Sequence, residues 1–470
     1  MDKGALSAIL VDTNSKDPQK QAKMAEQIAQ EAHYAATVLK TLSNEERSQA
    51  LEEIRLGLIN AKKEILEANE RDLEAARASQ TSAALIKRLD LSKNDKFDSM
   101  CDGIKEVADL EDPLNKVTLA RELDEGLDLY RITCPVGVLL VIFESRPEVI
   151  ANITALAIKS GNAAVLKGGR ESLGTFKAMA NVINKVLKGK TKVPGDAIKL
   201  IATHSEVSDL LKQDQYIDLV IPRGSNKLVR AIKDQTKIPV LGHASGICSI
   251  YVDEFADPAK ASRIVVDAKT NYPAGCNAVE TLLVNEKILG AKIYEDLLKA
   301  LVSAGVTLHM TAQLLDSVPG NLKSTYPDKF VAAKDSDFRG EFLSLDLAVK
   351  AVADVSEAVK HINTHSSKHT DAIITENEPH AQVFLNGVDS SGVYWNCSTR
   401  FADGFRYGFG TEVGISTNKI HARGPVGLEG LVCYYYQLRG HGQIVGDYVG
   451  GGGHRKFTHR ELDPKKVKLD

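Results

Sequence analysis

The stretch KTNYPAGCNAVETLLV, residues 269–284, sets one thiol, Cys276, between Ala274-Gly275 and Asn277-Ala278, ahead of an apolar run ending in Leu282, Leu283 and Val284. A structural cysteine usually packs among bulky apolar neighbours. The small flanks here leave room for a ligand to approach the sulfur, and a thiolate so placed is suited to acyl transfer. Other positions suit anions. Lys167 closes an apolar run and is followed by Gly168, Gly169 and Arg170; Pro222-Arg223-Gly224-Ser225 follows another such run and opens NKLVRAIKD; Glu144, Ser145 and Arg146 close VGVLLVIF just before Pro147. Basic side chains at strand ends and free N–H groups at helix starts hold ribose or phosphate, and an arginine grips a carboxylate or phosphate with two donors at once. Each position has a plainer reading as well: Lys167 as a solvated loop charge, Arg146 as the partner of Glu144, Pro147 as an ordinary first-turn proline. Two such loops in one sheet favour a dinucleotide, although neither has GxGxxG spacing.

The elements that must position these groups are visible in the texture of the chain. Residues 17–80 are rich in Ala, Glu, Lys and Leu with apolar residues three and four apart, which predicts amphipathic helices packed on one face. From about residue 136, the runs VGVLLVIF (136–143), AAVLK (163–167), AIKLI (197–201) and IDLVIP (217–222) alternate with helix-like stretches. That alternation predicts parallel strands with crossover connections, a doubly wound α/β domain. A second, less regular alternation begins near Leu241 and passes residue 390, through ICSIYVD, VETLLV, VTLHM, DAIIT and SGVYWN; Cys276 belongs to it. Between the N-terminal helices and the first sheet, RELDEGLDLYRITCP (121–135) is predicted as two extended arms turning at Asp124-Glu125-Gly126. Such a hairpin is marginal alone and calls for a neighbour or a second subunit. The segment from residue 450, with four consecutive glycines and a charged end, reads as a flexible appendage.

Bulk properties narrow the class. The 470 residues suggest two or three domains; 43% are hydrophobic and 26% charged, with a net charge of -3 and no basic footprint for nucleic acid. Neither a signal-like region nor a run approaching about 18 apolar residues is present, so a soluble cytoplasmic protein is expected. Cys101, Cys134, Cys248, Cys276, Cys397 and Cys433 are scattered and form no CxxC pair; neither a disulfide framework nor a metal site is expected.

Taken together, PVGVLLVIFESRP, LKGGRES, VPGDAIKLI, IPRGSNKL, LGHASGICSIYVD, NYPAGCNAVETLLV and STRFADGFRYGFGTEVGISTNKIHARGPVGLEGL resemble the aldehyde dehydrogenase superfamily, in order from about residue 20 to 440. Within it they are most similar to the branch that forms glutamate 5-semialdehyde, in its free-standing fungal form. The resemblance implies an α/β fold with a Rossmann-type cofactor domain (1–120 and 136–241), an α/β catalytic domain (242–423), a small β oligomerisation arm (121–135 with 424–449) and a tail (450–470). It implies NADPH-dependent reduction of L-glutamyl 5-phosphate to L-glutamate 5-semialdehyde and phosphate through a thioester on Cys276, the second step of proline biosynthesis from glutamate. The rival within the fold is NAD(P)-dependent oxidation of an aldehyde to its acid. Carried over position by position, the resemblance assigns substrate contacts to Arg146, Asn277, Asn396, Arg400 and His243. Cofactor contacts fall to Ser145, Lys167, Gly168, Gly169, Arg170, Arg223, Gly224, Ser225 and Glu412. The backbone N–H of Cys276 is the implied oxyanion donor. Oxidising relatives carry a glutamate in an E-L-G-G stretch to activate water, whereas residues 241–246 here read LGHASG with no carboxylate, which suits a reductase. His243 either exchanges protons there or fills a polar gap. Arg170 stands where many relatives have a glutamate, which favours the 2′-phosphate of NADPH. Cys397, the rival thiol, lacks the small flanks of Cys276. A homodimer or higher homo-oligomer and the upstream glutamate 5-kinase are the implied partners.

Overall fold

The computed structural model describes residues 10–11, 17–144, 146–201, 204–243, 245–448 and 453–469. Its first sheet has five parallel strands in the order Leu10–Val11, Ile198–Ile201, Ala163–Lys167, Val138–Phe143, Leu219–Arg223. Strand Val138–Phe143 shows why an unbroken apolar run is needed. Val138, Leu140 and Ile142 pack on one face against Ala25, Ile28 and Ala32, while Leu139, Val141 and Phe143 pack on the other against Ile150, Phe176 and Leu51. Both faces of a parallel sheet are covered, so side chains of both parities must be apolar.

The N-terminal helices form as expected. Helix Asn44–Asn60 begins with a capping box in which the Ser43 hydroxyl accepts from Glu46 N–H and the Glu46 carboxylate accepts from Ser43 N–H. Arg47 of this helix is fully buried, paired with Asp112 at 2.8 Å and donating to the carbonyl of Lys159.

The second sheet is more regular than the sequence suggests. Seven strands, all parallel, run in the order Phe330–Ala332, Thr307–Met310, Asp346–Val352, Val279–Asn285, Cys248–Val252, Thr370–Ile374, Gly392–Trp395. Helices Pro258–Thr270 and Lys292–Ser303 cover one face, and Val355–His365 and Glu378–Gly387 the other. Strands Phe330–Ala332 and Asp346–Val352 escape the sequence pattern because the first has three residues and the second is interrupted by Lys350.

The arm is a four-stranded antiparallel sheet ordered Val432–Arg439, Leu127–Pro135, Val117–Asp124, Arg460–Glu461. Its hairpin turns through Glu125 and Gly126, the glycine supplying the positive φ of 68° that such a turn requires. The C-terminal segment departs from its reading as a flexible appendage. Residues Arg460 and Glu461 pair with Glu122 and Arg121, Arg455 meets Asp124 at 2.6 Å, and Leu462, Val467 and Leu469 pack on Tyr130 and Ile132. Those three apolar residues, masked in the sequence by surrounding lysines, cover the face that the hairpin cannot bury alone. Among the described residues no helix is long and apolar enough to cross a membrane.

Candidate active site

The loop that carries Cys276 joins helix Pro258–Thr270 to strand Val279–Asn285. Lys269 and Glu280, both fully buried and 2.9 Å apart, tie its two ends together, and Glu280 also accepts from the N–H groups of Phe342 and Leu343. Within the loop Gly275 N–H donates to Tyr272 O and Ala278 N–H to Gly275 O, while Cys276 N–H has no hydrogen-bond partner among the described residues. That unspent donor fits the oxyanion role.

The small residues around Cys276 serve the protein's own packing as much as a ligand. A Cβ on Gly275 would lie 2.6 Å from Nη1 of Arg400, and a Cβ on Gly246 would lie 2.0 Å from the carbonyl oxygen of Cys276. Gly246 N–H donates to Glu341 at 2.7 Å, and Cys248 Sγ–H points at Cys276 O. The segment read as the position of an absent base therefore forms the floor beneath Cys276.

Asn277 is buried and fastens the loop to the short turn Thr399–Phe401. Its Nδ2 donates to Ala402 O at 2.8 Å, and its own carbonyl accepts from the Thr399 hydroxyl at 2.7 Å. This brings Arg400 over Gly275. Two buried polar atoms beside the thiol then lack partners among the described residues: Asn277 Oδ1, an acceptor, and Arg400 Nε, a donor. Buried polar atoms are nearly always paired, so this couple fits a ligand that carries both a cation and an anion.

Cys276 lies at the amino-terminal edge of the second sheet, which faces the carboxyl-terminal edge of the first. From there Arg223, the last residue of strand Leu219–Arg223, reaches across and donates to Glu412 O at 3.3 Å. Burial pushes the Cys276 thiol up to about 12; Glu412 and Glu341 push the same way, and Arg223 and Arg400 oppose them. Arg223, read as a cofactor residue, thus bears on the sulfur. Arg146 is exposed and acts electrostatically on both Arg223 and Glu412. The Glu412 carboxyl is raised by burial against the pull of Arg223 and accepts from Gly404 N–H at 2.9 Å. His243 is half-buried, its pKa lowered by burial, with Nδ1 3.1 Å from the carbonyl of Ile415. A carbonyl only accepts, so Nδ1 carries the proton.

Two residues near the thiol were invisible to sequence reading: Glu341 and His369. Each arrives from a separate segment, so no local spacing announces it. His369 brings its ring to 5.0 Å from that of His243, and ligand atoms of His243, Cys276 and His369 lie within 4.8 Å of one another.

On the first sheet, Lys167 is buried, 3% exposed, and donates to Gly168 O, which removes its reading as a solvated charge. Gly168 lies so close to Phe176 that a Cβ would come within 2.2 Å of the ring. Gly169 leads into a turn, Arg170–Ser172, where Arg170 is exposed and the buried Ser172 hydroxyl has no partner among the described residues. A lysine at the strand end and an arginine and an orphaned hydroxyl in the turn that follows fit a phosphorylated ribose. The helix starts are less open than expected. Asp72 caps helix Leu173–Lys190 through Gly174 and Thr175, and Glu144 accepts from Ser225 N–H at 3.1 Å beside Gly224, with Ser225 itself capping Asn226–Gln235. A carboxylate of the protein stands where a ligand phosphate was expected.

Asn396 is not brought to Cys276. It follows strand Gly392–Trp395 at the carboxyl edge of the second sheet, opposite the edge that holds Cys276, and its amide is spent on the Thr375 backbone at 3.0 and 2.9 Å. Ser145 lies outside the described residues.

Comparison with known proteins bears on this arrangement. The profile of the "Aldehyde dehydrogenase family" matches residues 11–319. The chain is 60% identical over 454 residues to "Gamma-glutamyl phosphate reductase" of Saccharomyces cerevisiae, covering 94% of this chain and 99% of that protein. The chain belongs to the aldehyde dehydrogenase family. Among other members it is 54% identical to "Probable gamma-glutamyl phosphate reductase" of Schizosaccharomyces pombe, with 93% and 97% coverage. The crystal structure of gamma-glutamyl phosphate reductase from Thermotoga maritima superposes with a TM-score of 0.84 at 36% identity, covering 89% of this chain and 99% of that one. The family's α/β architecture is the one described above, and its members use NAD or NADP.

Proposed function

We infer that this chain reduces L-glutamyl 5-phosphate to L-glutamate 5-semialdehyde with release of phosphate, the second step of proline biosynthesis from glutamate. One observation supports the substrate beyond family membership: the orphaned couple of Arg400 Nε and Asn277 Oδ1 beside Cys276. An α-amino acid offers a carboxylate to the first and an ammonium to the second.

The sulfur of Cys276 attacks the γ-carbonyl carbon and its proton passes to Nε2 of His243. Negative charge that develops on the carbonyl oxygen is met by the unspent N–H of Cys276. The carbon–oxygen bond to phosphate breaks, phosphate departs with the bonding pair, and the carbon of the γ-carboxyl group is left as a thioester. Arg223 and Arg146, whose charges both bear on Glu412, are suited to receive the phosphate dianion, and Arg223 favours the thiolate. When bound, NADPH supplies the hydride that turns this thioester into the aldehyde and returns Cys276 as thiolate. Lys167, Gly168, Gly169, Arg170, Gly224, Ser225 and Glu412 are the residues that would hold it. Ser225 N–H becomes available only if Glu144 swings aside. Asn277 keeps Arg400 in place, and Asn396 has no part in this scheme.

The rival, oxidation of an aldehyde to its acid, requires a base that aims water at the thioester; residues 241–246 offer no carboxylate for this, His243 already holds the proton taken from Cys276, and Glu341 is engaged by Gly246. Homo-oligomerisation through the arm is supported by its outer strand, which exposes Tyr434, Tyr436 and Leu438. Cytoplasmic residence agrees with the free cysteines, and the lability of an acyl phosphate favours delivery by the upstream glutamate 5-kinase.

The deciding assay is phosphate-dependent NADP+ reduction with glutamate semialdehyde. Wild-type protein turns over only with phosphate, and Cys276→Ala loses at least about four orders of magnitude in kcat. Oxidation at full rate in phosphate-free buffer, or activity retained by Cys276→Ala, overturns the reading.

A further inference from the structure

The groups around the nucleophile have a second competence. His243 precedes strand Cys248–Val252, Cys276 precedes Val279–Asn285 and His369 precedes Thr370–Ile374. These strands are adjacent in the sheet, in the order 279–285, 248–252, 370–374, so the three residues come from neighbouring amino-terminal ends. Their ligand atoms lie within 4.8 Å of one another. A tetrahedral zinc ion with Zn–N of about 2.0 Å and Zn–S of about 2.3 Å needs its ligands about 3.3–3.6 Å apart. Contraction by about 1 Å is within reach of small torsional changes in side chains.

Both imidazoles are already oriented. Nδ1 of His243 is held by Ile415 O, and Nδ1 of His369 lies 2.9 Å from the Thr370 hydroxyl. An outer partner on one ring nitrogen is the arrangement that presents the other to a metal. Nε2 of His369 is that other nitrogen. The residue is fully buried and this atom has no partner among the described residues, which is unusual for a buried polar group and is accounted for by a ligand.

We propose that Cys276, His243 and His369 form a site for a borderline-soft divalent cation, zinc by ligand type, whose occupation masks the nucleophile. One thiolate and two neutral imidazoles select zinc over magnesium or calcium. Three protein ligands leave a fourth position for water or phosphate. On binding, the sulfur lone pair goes to the metal and the thiol proton goes to solvent; nothing is oxidised, and a chelator reverses the reaction. The masking rests on Cys276 being the nucleophile as argued above, whereas the binding does not.

The experiment titrates cobalt(II), a coloured stand-in for zinc, into metal-free full-length protein without oxygen. The expected result is one cobalt per chain, with the intense visible bands of a four-coordinate ion and a thiolate-to-cobalt charge-transfer band, all displaced by zinc. Cys276→Ser abolishes the charge-transfer band, and His243→Gln and His369→Gln each weaken binding by at least about tenfold. Cys397→Ser, which removes the other half-buried thiol, binds as wild type. If His369→Gln does not fold by thermal melting, His243→Gln and Cys276→Ser still decide the matter. Absence of the charge-transfer band in wild type, its persistence in Cys276→Ser, or unchanged affinity in the folded histidine variants overturns the site. Zinc should also abolish turnover in proportion to occupancy, with full recovery on chelation. Stoichiometric binding with turnover intact leaves the site standing and overturns Cys276 as the nucleophile, so the two failures are distinguishable.

Discussion

Gly246→Ala tests how closely Cys276, the proposed nucleophile, is positioned. The added methyl carbon would lie 2.0 Å from the carbonyl oxygen of Cys276, 2.5 Å from its Cα and 2.6 Å from its carbonyl carbon, where ordinary contact begins at 3.4 Å. All three are backbone atoms, so no side chain can rotate out of the way. The loop must retreat by about 1.4 Å, or the floor must. Overpacking of this kind costs about 1–3 kcal/mol of stability, and displacement of a reacting atom by about 1 Å costs about a hundredfold in rate, close to 2.7 kcal/mol of barrier. The expected outcome is a folded protein with kcat lowered about a hundredfold in phosphate-dependent NADP+ reduction. Gly242→Ala is the matched control: it lies in the same segment, but its methyl group would meet Pro222 at 3.4 Å, and it should retain wild-type turnover. If Gly246→Ala melts like wild type and keeps kcat within about threefold, the contact does not position the thiol and the reasoning fails.

Four further outcomes follow from the same structure. With the thiol pushed up to about 12 by burial, only the thiolate reacts, so iodoacetamide inactivation of the free protein should accelerate about tenfold per pH unit between about pH 7 and pH 10 without levelling; a plateau below about pH 9 contradicts the burial argument. Glu412→Gln removes a carboxylate that raises the thiol and should speed alkylation at fixed pH. Lys269→Met strands Glu280 in a buried site and should lower the urea-unfolding free energy by about 3–5 kcal/mol. Lys269→Met with Glu280→Leu should recover only part of this, because Phe342 and Leu343 N–H lose their acceptor; a single-variant loss under about 1 kcal/mol would show that the pair contributes little. Arg170→Glu should raise the KM for NADPH at least about tenfold while leaving that for NADH nearly unchanged, and equal effects on both would remove Arg170 from the 2′-phosphate.

Four of the five strands of the first sheet were legible to within two residues, whereas the edge strand Leu10–Val11 was not read, two residues being too short a run to stand out. A strand covered on both faces, such as Val138–Phe143, leaves an apolar run that no amphipathic helix produces. Strand Asp346–Val352 has the same role in the second sheet, yet Lys350 and Asp346 break its run, and only pairing with Val279–Asn285 and Thr307–Met310 defines it. In the site, Cys276 was marked by its small neighbours, although Gly275 and Gly246 are small chiefly to admit Arg400 and the chain itself. Arg223 was legible as a strand-end cation, but its reach to the sulfur depends on how two sheets face each other. Glu341 and His369 were illegible for the same reason: they meet Cys276 only after the strands have been ordered. Asn396 shows the converse, a residue marked by local likeness that the sheet places at its far edge.

The sheet formed by 117–124, 127–135, 432–439 and 460–461 also constrains how the molecule is made. Its first hairpin is synthesised before either α/β domain is complete, and the strand Arg460–Glu461 that closes it follows both. Tyr130 and Ile132 therefore stay uncovered while both domains are being made and are sealed only afterwards, by Leu462, Val467 and Leu469. Completion of this antiparallel sheet is thus postponed until both domains exist, so a chain cut short before Arg460 carries an unfinished surface.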